Sequence, residues 1–198
     1  MHCTFFFNSI INQSNESCKD VATKIMFSIL ACFILSGCLG MPKSVSPVKD
    51  FELDRYLGKW YEVARLNHSF EEGLQNVTAE YSLQKDGGVS VVNRGFSTVE
   101  KKWSEATGKA FFVKSTDEGY LKVSFFGPFY GSYVIFELDK EHYQYAFVSG
   151  PDLNYLWLLS RTPNVSAELK ENFIKQAKSL GFDTDTLIMV GHKLPTEL

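Results

Sequence analysis

Residues able to do chemistry are few in this chain, and their spacing keeps them apart. His68, His142 and His192 fall in separate segments, with no H-x-x-x-H or C-x-x-C pair to hold a metal. The acidic clusters "EE" (71–72) and "DTD" (183–185) read as solvated surface carboxylates rather than an acid–base couple. No G-x-S-x-G elbow occurs, and "GG" at 87–88 reads as a hairpin turn, not a phosphate loop. "NVT" (76–78) and "NVS" (164–166) match a glycosylation pattern and nothing more. All four cysteines, Cys3, Cys18, Cys32 and Cys38, lie in the first 38 positions, so the rest of the chain offers no thiol nucleophile. No catalytic residue, metal or cofactor is expected. The chemistry to look for is covalent attachment and noncovalent binding.

The attachment signal is "IMFSILACFILSGC", Ile25 to Cys38. Lys24 precedes an apolar run of about eleven residues that ends in small ones, the layout of a secretory signal and too short to span a bilayer. Its ending "LSGC", Leu35 to Cys38, resembles the lipobox of bacterial lipoproteins. That resemblance implies cleavage before Cys38, a diacylglycerol on its thiol and an acyl chain on its new amino group: a stable dual anchor. Leu39 rather than Asp follows, which in such proteins implies sorting to the outer membrane, facing the periplasm. The alternative is a buried helix followed by a free cysteine. Residues 1–20 do not fit a signal's charged start, and translation is expected to begin near Val21. The chain therefore divides into an extension plus signal (1–37), a lipidated cysteine and tether (38–49), and one domain (50–198).

The elements that must position any binding site are strands. With 198 residues, 44% hydrophobic and a net charge of -3, the chain suits one core and shows no basic stripe for nucleic acid. Its 17 Phe and 9 Tyr favour β-structure or an apolar pocket. Apolar or alternating runs at 60–66, 76–83, 89–96, 106–113, 120–126, 132–138, 143–148 and 155–160 are separated by turn chemistry such as "KDGG" and "GPDLN". One helix is expected, N-capped by Ser166 and ended by Gly181, followed by a short ninth strand in 186–190. Small inward residues on the fourth strand, Ala106, Gly108 and Ala110, favour a hollow eight-stranded up-and-down barrel over a filled sandwich.

A barrel needs an end-plug, and "GKWYEVAR" supplies one: Gly58 permits a tight entry and Trp60 points inward. This stretch resembles the G-x-W signature of the lipocalins. "SGPDLNYLWLLSRTP" (149–163) resembles that family's later motifs, with "GPDLNY" standing where T-D-Y is usual and Arg161 where an arginine stacks on the tryptophan. The similarity covers about 50–193 and, with the lipobox, points to the bacterial outer-membrane lipoprotein lipocalins, a group close to apolipoprotein D. It implies an all-β barrel with one helix packed outside, and a base formed by Gly58, Trp60 and Arg161.

Inward alternation places Ala79, Tyr81, Val91, Ala110, Phe112, Val123, Phe125 and Trp157 around one cavity opening away from Trp60. Val77 and Leu83 fall on the same face of their strand, as Tyr155 and Leu159 do beside Trp157. An elongated amphiphile, a fatty acid or lysophospholipid, is the expected ligand, held for lipid storage or transport in envelope maintenance. The outer membrane is the second partner, and a homodimer is kept open. Two alternatives stand: a lipid- or isoprenoid-modifying enzyme in the same pocket, and a structural lipoprotein with a filled barrel. Inner faces that lack a cluster of titratable groups favour binding. "FFGPFYGSY" (125–133) reads either as the core of a hairpin or as a turn tip whose Phe129 and Tyr130 meet lipid, a gate or a partner.

Overall fold

The computed structural model describes residues 39–193; the extension, the signal segment and Cys38 lie outside the described residues. Eight antiparallel strands follow one another: β1 (Gly58–Arg65), β2 (Leu74–Leu83), β3 (Val89–Ser97), β4 (Lys102–Phe112), β5 (Tyr120–Phe126), β6 (Phe129–Leu138), β7 (Tyr145–Ser149) and β8 (Leu156–Ser160). Each pairs with the next, and β1 pairs with both β2 and β8, which closes the barrel. A one-turn helix α1 (Leu53–Tyr56) precedes β1, and α2 (Ala167–Ser179) follows β8. The short β9 (Ile188–Met189) pairs with the far half of β1, beyond the point where β2 leaves it.

Odd-numbered strands up to β7 run away from Trp60. The loops β1–β2, β3–β4, β5–β6 and β7–β8 therefore gather at one end, the mouth. Loops β2–β3, β4–β5 and β6–β7 gather with α1 at the other, the base. Side-chain alternation fills two regions. Trp60, Tyr81, Val91, Ala110, Leu121, Val148 and Leu159 belong to the interior cluster. Val63, Phe147, Leu156, Leu158, Phe173 and Ala177 form a second cluster outside the wall, under α2. Strands β7 and β8 are thus covered on both faces, which explains their continuous apolar runs. Ser166 Oγ accepts from the Leu169 amide at 3.1 Å, and Gly181 with φ +94° turns the chain out of α2.

Strand ends lie within three residues of the sequence reading except at the start of β4, and one expected inward residue of β2 is exposed. β4 begins at Lys102, four residues before the expected 106, because its mouth half is exposed on both faces and carries no apolar period. Only Lys109–Phe112 of β4 pairs with β5, so the wall is notched above Lys109 and the inward Ala106 is open to solvent. Leu83 does not line the interior: it ends β2 beyond the base and is 54% exposed.

Residues 39–50 lie along the outer wall. Val45 is buried in the outer cluster, Ser44 Oγ donates to the Leu180 carbonyl at 2.6 Å, and Val48 bonds through its backbone to Ile135 and Gly119, each at 2.9 Å. Gly119 permits this approach, since a Cβ there would lie 2.8 Å from Val48 Cγ2 and 3.0 Å from Ile135 Cβ. Gly119→Ala should therefore cost about 1–3 kcal/mol by overpacking and speed exchange of the Val48 amide. Denaturant melts and hydrogen exchange check both; protection of Val48 unchanged from wild type would show that the segment is held elsewhere.

Candidate functional site

The base is built on β1 and α1. Gly58 adopts φ +88°, a conformation that side chains with a Cβ resist, and the chain turns there from α1 into the barrel. Two residues on, Trp60 is fully buried and its Nε1 donates to the Tyr56 carbonyl at 2.8 Å. Arg161, just past β8, lays its guanidinium 3.9 Å from the Trp60 ring centroid. The same guanidinium donates to the carbonyls of Lys59 (2.9 Å), Arg55 (2.7 Å) and Tyr143 (3.3 Å). One side chain thus covers the floor and ties α1, β1 and the β6–β7 loop together.

Above the floor the lining is apolar. Tyr81, Val91 and Ala110 are buried in the interior cluster, and Ala79, Phe112, Val123, Phe125 and Trp157 pack against it half-buried. Phe125 reaches across the wall to Gly108, where a Cβ would meet its ring at 2.8 Å, so this ring takes up much of the space that the small residues of β4 leave. Three tyrosines cross the interior: Tyr133 Oη lies 2.7 Å from Tyr56 Oη and 2.8 Å from Tyr81 Oη. Burial raises the pKa of all three hydroxyls, so they remain protonated. Three hydroxyl hydrogens serve two contacts, which leaves one to donate elsewhere.

The mouth half is charged, which corrects the expectation that the inner faces lack a cluster of titratable groups. Glu71 is not a solvated surface carboxylate: it is 6% exposed, whereas its neighbour Glu72 is exposed. Arg65, 1% exposed, donates to Glu62 Oε1 at 2.6 Å and to the carbonyls of Glu71 (2.8 Å) and Leu74 (3.2 Å). Glu71 Oε2 accepts from Trp157 Nε1 at 3.1 Å and lies 3.1 Å from His68 Nδ1. His68 stacks on Phe70 and Tyr155, with centroids 4.6 and 5.4 Å away. Burial, reinforced by Glu71 and opposed by Arg65, holds the Glu62 carboxyl well above its ordinary range. Arg65 Nε, His68 Nε2 and, midway up β3, Asn93 Oδ1 are buried with no protein partner among the described residues.

Sequence reasoning missed Glu62 and Arg65 because residues three apart on a regular strand face opposite ways. A bulge between Glu62 and Ala64 inserts the extra residue that returns Arg65 to the Glu62 side. The available signal was two opposite charges in an otherwise apolar strand. His192 reaches β1 separately, its Nε2 2.7 Å from the Glu62 carbonyl. Among the described residues no three His, Cys, Asp or Glu side chains are grouped to hold a metal.

A closed barrel, a tryptophan floor under an arginine and one external helix are now in view, and a family profile described as a lipocalin-like domain matches residues 51–192. The chain belongs to the lipocalin family. It is 64% identical over 167 residues to the outer membrane lipoprotein Blc of Vibrio cholerae, covering 84% of this chain and 98% of that one. To the protein of the same name from Escherichia coli K12 it is 47% identical over 162 residues, covering 81% and 91%. Among solved structures, insecticyanin of the tobacco hornworm Manduca sexta superposes with a TM-score of 0.62 at 22% identity, covering 78% of this lipocalin and 87% of that chain.

In this lipocalin Trp60→Ala should lose about 3–5 kcal/mol, Arg161→Ala less, and Gly58→Ala about 1–2 kcal/mol through its backbone angle alone, since a Cβ there has 3.6 Å to Arg161. Denaturant melts read all three, and equal, negligible losses at Trp60 and Arg161 would remove the floor. The charged half makes stability depend on pH. Because the folded-state carboxyl of Glu62 is raised, its contribution is complete below the ordinary value of 4.5 and drains away as pH rises through the folded value. Glu62→Gln should flatten that decline, and melts at acidic and mildly alkaline pH in both proteins measure it.

Proposed function

We propose that this lipocalin is a lipid-anchored outer-membrane protein that binds an elongated amphiphile, a fatty acid or lysophospholipid, for lipid storage or transport in the envelope. The observation that carries the reading is the division of the interior. Apolar side chains occupy the half above Trp60, and paired charges with unpartnered polar atoms occupy the half below the mouth. A tail gains from burial in the first region, and a polar head finds partners in the second. Ala79, Tyr81, Val91, Ala110, Phe112, Val123, Phe125 and Trp157 would contact the tail. Phe125 would swing off Gly108 to admit it, and the notch beside Ala106 would be its way in. Anchoring is read from "LSGC" at Cys38, supported by relatives that bear the name outer membrane lipoprotein.

The buried Glu62–Glu71–His68 group is the feature that favours catalysis on a lipid instead. Its members are already engaged with Arg65, Trp157 and one another, which suits holding a head group better than attacking one.

Affinity for a series of fatty acids should rise by about 0.8 kcal/mol per CH₂ until the tail meets Trp60. Ala110→Trp should weaken binding of the longest members while the protein stays folded. Titration calorimetry beside melting curves tests this. Unchanged binding in a folded Ala110→Trp variant would put the ligand outside the barrel, and consumption of lysophospholipid during the titration would favour the enzyme.

A further inference from the structure

We propose that the mouth of the barrel is seated on the bilayer that carries the anchor, so that the ligand passes between membrane and interior without crossing water. This rests on the reading of Cys38 as lipidated and adds an orientation to it.

The first observation is where the outer-wall segment ends. Phe51 bonds to Asp117 at the base, Val48 to Gly119 and Ile135 higher up, and Ser44 to Leu180. Met41 to Ser44 then face Pro151 to Asn154 of the β7–β8 loop across a shallow cleft. Gly40 lies against Pro151, whose carbonyl oxygen would be 3.7 Å from a Cβ at that position. The chain is therefore fixed along the wall from base to mouth and leaves the domain at the mouth. Cys38 is two residues further on, about 7 Å at full extension. A strand the length of β1, eight residues, spans roughly 25 Å. So short a link cannot let the barrel turn its base to the lipid.

The second observation is the distribution of exposed apolar side chains. Phe70, Val99, Phe126, Phe129 and Leu153 are exposed, and every one of the four mouth loops carries or adjoins at least one of them. Phe126 and Val99 are the extremes, at 82% and 84%. Leu39, at the end of the wall segment, is exposed as well. Among the described residues the base contributes only Leu83 to this set. Single exposed apolar residues are ordinary on a protein surface; their concentration at the end where the anchored chain emerges is not. On the mouth loops and their flanks Lys43, Lys101 and Lys102 balance Glu72, Glu100 and Asp152, and Asp183 and Asp185 lie on the nearby link into β9, so the rim carries no basic patch. Contact with the membrane is then carried by the apolar side chains, and a lipid surface fits the rim better than an acidic partner would.

The lipidated chain is suited to the test because no cysteine follows Cys38, so an introduced thiol is unique. Val99→Cys and Leu153→Cys mark the mouth, and Lys85→Cys and Lys140→Cys mark the base. Each carries an environment-sensitive fluorophore in vesicles of phosphatidylethanolamine and phosphatidylglycerol containing spin-labelled quencher lipid, with flotation measured on the same samples. Mouth labels should be quenched several-fold more than base labels. Flotation with equal quenching at both ends, or with none at the mouth, overturns the orientation while leaving the anchor intact. Mouth labels shielded from lipid but self-quenching between copies would show that a second chain covers the rim, and overturn it too. Failure to float would remove the anchor and this proposal with it.

Discussion

The contact on which the rest of the molecule depends is Arg161 over Trp60. A cylinder of strands has two ends, and at each the last carbonyls need donors while the apolar interior needs a cover. At the base one side chain answers both demands. Its planar cation spreads over the indole, and its N–H groups point away to three carbonyls on three separate segments. A lysine could supply the charge but not this fork, and an apolar residue could cover Trp60 but would leave the carbonyls unpaired. With the floor fixed, the lining strands need only be long and apolar enough to reach the mouth.

The mouth obeys a different rule. Burying Glu62 and Arg65 is expensive, and their mutual attraction offsets the expense only with good geometry and further hydrogen bonds. Both are present, since Arg65 holds two carbonyls besides the carboxylate. The buried Glu71 nevertheless sets a second carboxylate against Glu62 and so raises the proton affinity of Glu62. An apolar lining would stabilise the barrel more. Polar atoms kept unpartnered inside a barrel make sense where something polar arrives to meet them.

The barrel was legible in the sequence wherever one face of a strand is buried, as with Ala79 and Tyr81 against Glu80 and Ser82. The helix was legible through its Ser166 cap and terminal Gly181. Legibility failed where the period carries no information. The mouth half of β4 is exposed on both faces, so "KWSE" (102–105) falls outside the expected strand. The bulge in β1 shifts the phase after Glu62, so strict alternation separates the two groups that the fold joins. The tyrosine trio was half seen. Tyr81 follows from its strand, but Tyr56 sits on a one-turn helix too short for any periodic signal.

β1 links these features, because it runs from the floor to the charged mouth and alone touches β2, β8 and β9. Its first half is held by α1 and Arg161. Its second half, past the bulge, exchanges β2 for β9 and carries Arg65 into the mouth. The exchange frees the start of β2 to depart toward the β1–β2 loop, which brings Glu71 and His68 back over the interior. A bulge is costly in ladder hydrogen bonds, yet without it Arg65 would point into the outer cluster, where no carboxylate waits. The same extra residue therefore both passes the second half of β1 to β9, whose continuation at Gly191 bonds on to Asn76 of β2, and places Arg65 beside Glu62. The joining of β9 to the barrel and the burial of the Glu62–Arg65 pair are two consequences of one local irregularity in an otherwise regular strand.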